Sequence, residues 1–349
     1  MPMHVPPSPG RLALLALAAA VLAAPLAGQR TERFALEGRR TTISNLAGEV
    51  RVLPGTGRDV VVEVTRRGRD AGQLRVVRDG GELRVVYPGD RVVYPRMDDS
   101  ARATLEVRRD GALGESLWGT RRVTVAGTGA GTQAWADVRV LVPAGHRVSV
   151  YQGVGGVQVA NVRADLLVRT RAAPVRVRGL RGELDVEARS GGVEVRDTEG
   201  EVTVSSSRGD VVLASVSGPL LDVATNRGAV SGSGLRVETV EVWAGNGTIR
   251  LDGVQAREVS LDNGTGGVTL GLAGDADLEI DTGSGGVVLS VPPSFGAQVA
   301  VRTGNGAIRV DLPVANRRES RGSLTGRVGD GNGSVEIETG NGAVHVRRN

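Results

Sequence analysis

The sequence predicts an all-β protein, organised as a single-stranded β-solenoid (β-helix-like) with coils of about 19 residues. Three observations predict it. Glycine accounts for 52 of the 349 residues, about twice its usual share. Apolar and polar residues alternate along much of the chain, which is the period of a strand with one buried face. These alternating segments recur at a nearly constant interval, as they do in repeat architectures.

The first series of alternating segments has the form G-x-V-x-V. Successive members are separated by 18, 18, 18, 19, 19, 19, 19, 21 and 36 residues. Their first apolar residues are Val157, Val175, Val193, Val211, Val230, Ile249, Val268, Val287, Ile308 and Val344. The regular step predicts that each segment stacks on the next one along the chain, with the valines inward and the intervening residues in solvent.

A second series of strands lies between the members of the first. Its first apolar residues are Leu184, Val202, Leu221, Val240, Val259, Leu278, Val299 and Val335. One link between the two series is rich in Gly and Asn, as in Thr303-Gly304-Asn305-Gly306, and is interpreted as a tight corner with positive φ. The other link carries one apolar residue, which we expect to point inward; examples are Leu180, Val216, Val254 and Leu272.

Two architectures satisfy this alternation. Asn-Gly corners are also typical of antiparallel hairpins, which therefore remain the alternative to the solenoid. One repeat buries aliphatic side chains worth about 10 kcal/mol, whereas ordering its backbone costs about 20 to 40 kcal/mol. A single repeat is therefore unstable by itself, and the repeats must stack.

The domain organisation follows from the same pattern. Residues 1–28, with Arg11 before an apolar run and small residues at the end, predict a signal peptide, either cleaved or kept as an anchor. Residues 29–137 predict an irregular β region continuous with the solenoid. Residues 138–349 predict the regular solenoid, with a loop insertion at 311–334 that protrudes before the last coil.

Particular motifs resemble a known family. They are the run Asn45 to Val52, the V-P-x-G segment beginning at Val142, and the repeated T-G-N/S-G corners. This pattern resembles the bacterial β-strand-repeat family labelled putative adhesin, a domain of unknown function. The resemblance covers roughly residues 41–346, and residues 88–137 depart from it. It implies an exported repetitive β-structure, and the family offers no catalytic residues to carry over.

Composition excludes several chemistries. The chain has no Cys and all 43 basic residues are Arg, so thiolate nucleophiles, disulfides, lysine Schiff bases and P-loops are absent. His146 and His345 are far apart in the repeat and are expected at exposed strand positions. The calcium-binding nonapeptide repeat does not occur in series. We therefore predict no catalytic residues, no cofactor and no metal site.

Carboxylates are the remaining candidates for catalysis. Many of them occupy outward strand positions, where pairs such as Arg176 and Glu194 are expected to form ion pairs between coils. Asp262, Glu279 and Asp281 are the group that sequence alone leaves open as a converging cluster.

The sequence therefore predicts an exported, non-catalytic protein that serves as an adhesin-like surface or a cell-envelope scaffold. The alternative is a polysaccharide-active enzyme on a β-helix scaffold. The predicted partner is a cell-envelope glycan or protein, at the periplasm or cell surface, with no transmembrane segment after signal cleavage. Nucleic acid is disfavoured because only 2% of residues are aromatic.

Overall fold

The computed structural model describes residues 31–114 and 119–349. Over those residues the protein is all-β, as predicted, apart from a single short 3-10 helix at Ala71–Gln73. The predicted signal peptide, residues 1–28, lies outside the described residues. Within the described ranges, no helix has the length and apolar character needed to cross a membrane.

Nine strands precede the regular repeat and build the amino-terminal end of the molecule. They are β1 Thr31–Leu36, β2 Arg40–Pro54, β3 Val60–Arg67, β4 Arg75–Asp79, β5 Glu82–Val86, β6 Arg91–Val93, β7 Arg102–Arg108, β8 Thr120–Ala126 and β9 Trp135–Val142. β2 is the first coil, and β5 and β9 pair with it in parallel. β3 then pairs antiparallel with both β9 and β1. β6, β8 and β7 form a separate three-stranded sheet.

The regular coils lie between His146 and Val291. Their strands are β10 His146–Ala160, β11 Ala164–Ala172, β12 Val175–Arg178, β13 Leu184–Ala188, β14 Val193–Glu199, β15 Val202–Arg208, β16 Val211–Arg227, β17 Val230–Ser233, β18 Arg236–Asn246, β19 Ile249–Val254, β20 Glu258–Asn263, β21 Val268–Leu272, β22 Asp277–Thr282 and β23 Val287–Val291. The longest of them, β10 and β16, bend around a corner and belong to both series.

All ladders between these strands are parallel and almost entirely in register. β11, β13, β15, β16, β18, β20 and β22 stack in one ladder. β12, β14, β16, β17, β19, β21 and β23 stack in the other. Val268, for example, lies between Ile249 and Val287. The predicted stacking is thus confirmed from Val157 to Val287, and the hairpin alternative is wrong for these coils.

The core is a set of aliphatic columns running through the stacked coils. The inward valines, leucines and isoleucines of both series are buried, including Val268. A third, narrower side connects the two series, and its apolar residues are buried as predicted: Leu180, Val216, Val254 and Leu272. Isolated parallel bridges such as Arg163 to Arg181 join this side from coil to coil. The coils therefore enclose one continuous β-solenoid-like core.

The predicted positive φ occurs at Gly191, Gly209 and Gly228, whereas the glycines of the later corners are needed for a different reason. Gly266 and Gly285 do not have φ in the left-handed region. A Cβ at Gly266 would lie 1.6 Å from the carbonyl oxygen of Gly247, and one at Gly285 would lie 1.7 Å from that of Gly266. Successive coils approach so closely here that a side chain has no room.

Buried hydroxyls close the same corners. The Gly285 N–H donates a hydrogen bond to the Thr282 hydroxyl at 3.1 Å, and Thr339 donates to the Gly285 carbonyl at 3.0 Å. Each of these threonines therefore satisfies backbone groups that the turn leaves without a ladder partner. The T-G-N-G motif therefore allows the corners of successive coils to stack, and it also turns the chain.

The carboxyl-terminal strands do not follow the order of the sequence. They are β24 Ala297–Thr303, β25 Ile308–Val310, β26 Val314–Ser320, β27 Ser323–Val328, β28 Gly333–Thr339 and β29 Val344–Arg348. β28 lies between β22 and β24, and β29 lies between β23 and β25. The last coil in the sequence is therefore inserted one position before the end of the stack.

This threading corrects two predictions. Val287 stacks on Val344 rather than on Ile308. Residues 311–334, expected as a protruding loop, contain the antiparallel strands β26 and β27, and β27 pairs with the outer side of β24. The hairpin covers an edge that would otherwise remain open to pairing with another chain. Its outermost strand, β26, is charged and irregular in register, which discourages further pairing.

The register can be tested at neighbouring positions of β21. Val268 is buried and Thr269 is partly exposed. Val268→Asp should lower the free energy of unfolding by several kcal/mol, because it buries a charge between two coils. Thr269→Asp should be nearly neutral. Thermal denaturation of both variants checks this, and equal melting temperatures would contradict the register.

The close approach at the corners gives a second test. Gly266→Ala should destabilise the protein by about 1 to 3 kcal/mol, because the new methyl group overlaps a backbone oxygen of the preceding coil. Gly274→Ala is the matched control, since nothing lies within 4 Å of its Cβ position. Urea denaturation of both variants measures the difference. A Gly266→Ala protein as stable as the control would show that the coils can separate at no cost.

Candidate binding surface

The two long sides of the stack carry opposite charge. Outward positions of the ladder that contains β11, β22 and β28, here called the acidic face, are rich in carboxylates. They are Asp165, Glu183, Asp185, Glu187, Glu201, Asp222, Glu241, Glu258, Asp262, Asp277, Glu279, Asp281, Glu336 and Glu338. Arginines on this side are fewer and include Arg147, Arg169, Arg171, Arg208 and Arg302. The net charge of +4 conceals this separation.

The opposite ladder is predominantly basic. Its outward arginines include Arg176, Arg178, Arg196, Arg250, Arg309 and Arg347. The expected ion pair between coils is present, with Arg176 Nε 3.7 Å from Glu194 Oε2. Both groups are substantially exposed, so this contact contributes little to stability.

The three carboxylates that the sequence left open share the acidic face. Asp262 is the register partner of Asp281, and Glu279 lies two residues before Asp281 on the same strand. All three are exposed. The stack continues to Glu338 and ends at Arg302, which forms a salt bridge with Glu338. These carboxylates form columns along an open sheet surface.

Asp281 is repelled by the carboxylates at the equivalent position of the two adjacent coils, Asp262 and Glu338. Its pKa is raised above the ordinary value by partial burial, and then by the negative charges of Asp262 and Glu338. Like charges one coil apart disfavour ionisation of one another. Repulsion between the carboxylates of this column therefore destabilises the folded state when Asp281 is ionised.

An aromatic trough crosses the amino-terminal half of the acidic face. Tyr151 stands at one end and Trp243 at the other, and Trp243 is the large apolar side chain most exposed among the described residues, at 44%. The equivalent position of the coils between them is occupied, in order, by Arg169, Glu187, Ser205 and Ala224. Five coil steps of about 4.8 Å separate the two rings by roughly 24 Å. The trough has a volume of about 790 Å³.

The floor of the aromatic trough is low and polar. Ser205 and Ala224 have short side chains, which leave an open channel between the two rings. At the Tyr151 end, the Arg169 guanidinium carbon lies 5.8 Å from the tyrosine ring centroid. Arg169 also forms a 2.8 Å salt bridge with Glu187. Burial, and then the charge of Glu187, raise the pKa of the nearby Asp185.

An arginine groove of about 600 Å³ adjoins this trough. Five arginines line it: Arg102 and Arg122 from the three-stranded sheet, and Arg171, Arg189 and Arg208 from the coils. Glu106 is the acidic residue of the lining. Arg171 and Arg189 line the aromatic trough as well, so the two depressions share a wall.

The three-stranded sheet is held against the coils by apolar packing and hydrogen bonds. Leu105 is buried, with a methyl group beside Gly153 of β10. The Leu113 N–H donates a hydrogen bond to the Ser44 hydroxyl at 3.4 Å. Tyr94 packs edge-on against Trp135, with ring centroids 5.8 Å apart. Within the range that departs from the repeat, β7 and β8 therefore supply one side of the arginine groove, through Arg102 and Arg122.

The two described histidines differ from each other. His146, expected at an exposed position, is buried: its ring nitrogens lie 3.1 Å from the Pro143 oxygen and 2.9 Å from the Arg58 oxygen. It therefore joins two loops of the backbone. His345 is partly exposed and its Nε2 lies 2.8 Å from Asp311 Oδ2. They do not come together in a site.

With the geometry established, the family can be stated. The profile of the family described as Toastrack DUF4097 matches residues 130–347. The chain belongs to the Toastrack DUF4097 family. The resemblance to a β-strand-repeat family of unknown function is thereby confirmed. The match includes all the regular coils, Tyr151 and Trp243, whereas Arg102 and Arg122 precede it.

Further comparisons add little. No curated protein matches the chain. Among solved structures, the chain is similar to the crystal structure of a "putative cell adhesion protein" from Clostridium sporogenes ATCC 15579, at 11% identity and a TM-score of 0.19. That likeness covers 92% of this chain and 100% of the other. With so low a TM-score it supports no statement about fold or function.

The residues that line both depressions of this Toastrack protein are not among those predicted from the sequence. A signal for the trough was available, because Tyr151 and Trp243 each follow a V-x-V segment at an outward position. Tyrosine and tryptophan are enriched at interfaces, so an outward aromatic on a repeat strand is a candidate ligand contact. No comparable signal exists for the groove, since Arg102 and Arg189 are distant in sequence. Among the described residues, no cluster of His, Asp and Glu is arranged to hold a metal ion.

The repulsion at Asp281 predicts a pH-dependent stability. Its raised pKa means that folding disfavours the ionised carboxyl, so this destabilising contribution is present above that pKa and disappears as the pH falls through it. Asp281→Asn should therefore raise the melting temperature slightly at neutral pH and have no effect at about pH 3. Calorimetry at low ionic strength measures both values. About 1 M salt should also remove the gain, and a gain that survives both conditions would contradict the electrostatic cause.

Proposed function

We propose that this Toastrack protein is exported and serves, without catalysis, as an adhesin-like binding protein or scaffold of the cell envelope. The regular coils act as a rigid single-stranded β-solenoid that presents the aromatic trough to an extended glycan. The observation that carries the proposal is the pair of aromatic rings, Tyr151 and Trp243, at the two ends of one polar channel.

Export is supported by the sequence. Arg11, the apolar run from Leu12 to Ala24, and the small residues at Ala27 and Gly28 have the order of a secretory signal. Backbone ladders and aliphatic packing stabilise the coils without disulfides, which suits a chain without Cys. The proposed location is the periplasm or the cell surface.

The stacked coils supply the rigidity that such a surface needs. Tyr151, Glu187 and Trp243 each stand on a strand whose neighbours on both sides are hydrogen-bonded to it, as do Arg169, Ser205 and Ala224. Positions on rigid elements keep their spacing when a ligand binds, so less ordering entropy is lost on association. A rigid array is therefore well suited to an extended ligand that makes several weak contacts.

A glycan fits the chemistry of the trough. The exposed Trp243 ring offers a flat apolar surface for the C–H face of a sugar ring. Tyr151 is partly exposed and, with Arg169 over one face of its ring, offers a second aromatic contact at the other end. The intervening Ser205, Thr203 and Asn226 offer hydroxyl and amide groups for sugar hydroxyls. The roughly 24 Å between the rings suits several sugar residues in an extended chain.

A polysaccharide-active enzyme is the second candidate, because Asp185 and Glu187 line the same trough. Glycoside hydrolysis requires two carboxyl groups on either side of the scissile bond. Asp185 and Glu187 lie on the same strand and face outward together, and Glu187 is paired with Arg169. This arrangement favours binding over bond cleavage.

Glycan-array binding of the purified mature protein tests the proposal. We expect binding to an extended glycan, weakened roughly 10- to 100-fold in Trp243→Ala, because loss of the exposed tryptophan removes one of the two aromatic contacts and with it a large share of the binding energy. Thr239→Ala is the matched control, since Thr239 is uncharged and lies on the same strand outside the trough. Melting temperatures of both variants verify that they fold.

Two outcomes would contradict the proposal. Binding to no glycan on the array would remove the adhesin-like function. Turnover of a polysaccharide that disappears in Asp185→Asn would favour the enzyme instead.

A further inference from the structure

We infer that the arginine groove is a binding site for the anionic groups of an acidic polysaccharide, whose adjoining sugar residues occupy the aromatic trough. The inference rests on the proposed function and specifies its ligand class. It concerns Arg102, Arg122, Arg171, Arg189 and Arg208, which converge on one groove from two separate parts of the fold.

None of these five guanidinium groups has a carboxylate partner among the described residues. Glu106 lies opposite Arg122 in the β7–β8 ladder, yet no salt bridge joins them. Elsewhere on the coils, arginines such as Arg176 and Arg181 pair with a glutamate one coil away. The described residues thus give this groove five unneutralised cations and one acid, a balance that attracts anions.

The shape of the guanidinium group also determines which anions it binds best. Their planar arrangement of donors binds carboxylate, phosphate or sulfate through two parallel hydrogen bonds. Arg171 and Arg189 directly follow the register partners Thr170 and Ala188, so they stand one coil apart, about 4.8 Å. That spacing is close to the length of one sugar residue. Repeated anionic groups along a polymer can therefore engage successive coils.

The connection to the trough argues for a polymer rather than a small anion. Arg171 and Arg189 belong to the walls of both depressions, so a single chain can pass from one into the other. Inside the trough, Glu187 is paired with Arg169, and Asp185 adjoins the Arg171 and Arg189 wall. Beyond the trough, carboxylates of the acidic face without an arginine partner in the described part of the chain, such as Glu241 and Asp262, repel a polyanion. These charges therefore favour binding of an acidic glycan at the arginine groove, towards the amino-terminal end of the stack.

The same features disfavour nucleic acid, which is also a polyanion. Single-stranded nucleic acids bind by stacking successive bases on neighbouring aromatic rings. Here two rings stand roughly 24 Å apart, with Ser205 and Ala224 between them. Widely spaced rings with a polar channel between them suit sugars better than stacked bases.

The experiment compares four polymers and three variants of the full mature chain. The probes are polygalacturonate, which carries carboxylates, a phosphorylated mannan, neutral dextran and single-stranded DNA. One variant is Trp243→Ala, and the other two are triple arginine variants. The groove variant is Arg122→Gln, Arg171→Gln and Arg189→Gln combined. The matched control removes the same charge elsewhere: Arg236→Gln, Arg250→Gln and Arg257→Gln combined. Binding is measured by calorimetry at low and at physiological ionic strength, and melting temperatures verify folding.

We expect the wild-type protein to bind at least one anionic polymer more tightly than dextran, with affinity falling as salt rises. The groove variant should lose at least tenfold in affinity, and the control variant should lose much less. Preference for polygalacturonate or for the mannan identifies carboxylate or phosphate as the bound group.

Equal losses in the two triple variants would overturn the inference, since a general charge effect would then explain the binding. Tight binding of single-stranded DNA that exceeds binding of both polymers would overturn it as well. Binding of neutral glycans that depends on Trp243 but not on the groove would also reject it while leaving the proposed function intact. Absence of all glycan binding would reject both.

Discussion

Contact between successive coils is the interaction on which the rest of this structure depends. An aliphatic side chain such as Val268 is buried only because Ile249 and Val287 cover it from the two sides. The same neighbours supply the backbone hydrogen bonds of its strand. Since one coil buries too little apolar surface to offset its own ordering, stability belongs to the stack and not to any single repeat.

A stack of this kind has two ends, and each end needs a cover. At the amino-terminal end, β9 and β3 continue the first coil and turn it into an antiparallel sheet. At the carboxyl-terminal end, the β26–β27 hairpin covers β24. The final coil, β28 and β29, is then inserted beneath the covered one, so that the carboxyl-terminal strand has neighbours on both sides. Neither terminal coil is left as a long open edge.

The residues to which we assign the proposed function are not required for the stability of the stack. Outward positions such as Trp243 and Arg171 contribute little to the core, so their chemistry can vary without loss of the fold. The coils repeat these positions at a constant distance, which turns single residues into columns of charge or platforms of defined length. The acidic face, the aromatic trough and the arginine groove all arise in this way, and the three-stranded sheet completes the groove.

The sequence by itself determined which residues are buried and how long each coil is. Alternation in a strand is a local property, and a period of 18 or 19 residues is visible in a single chain. Val268, Leu180 and their equivalents were therefore predictable, as was the family. The order of the last coils was decided only by the tertiary structure, because Ile308 and Val344 carry the same pattern and either fits on Val287. The arginine groove could not be predicted from the sequence either. It brings together Arg102 and Arg189, which are distant in the chain and share no local pattern.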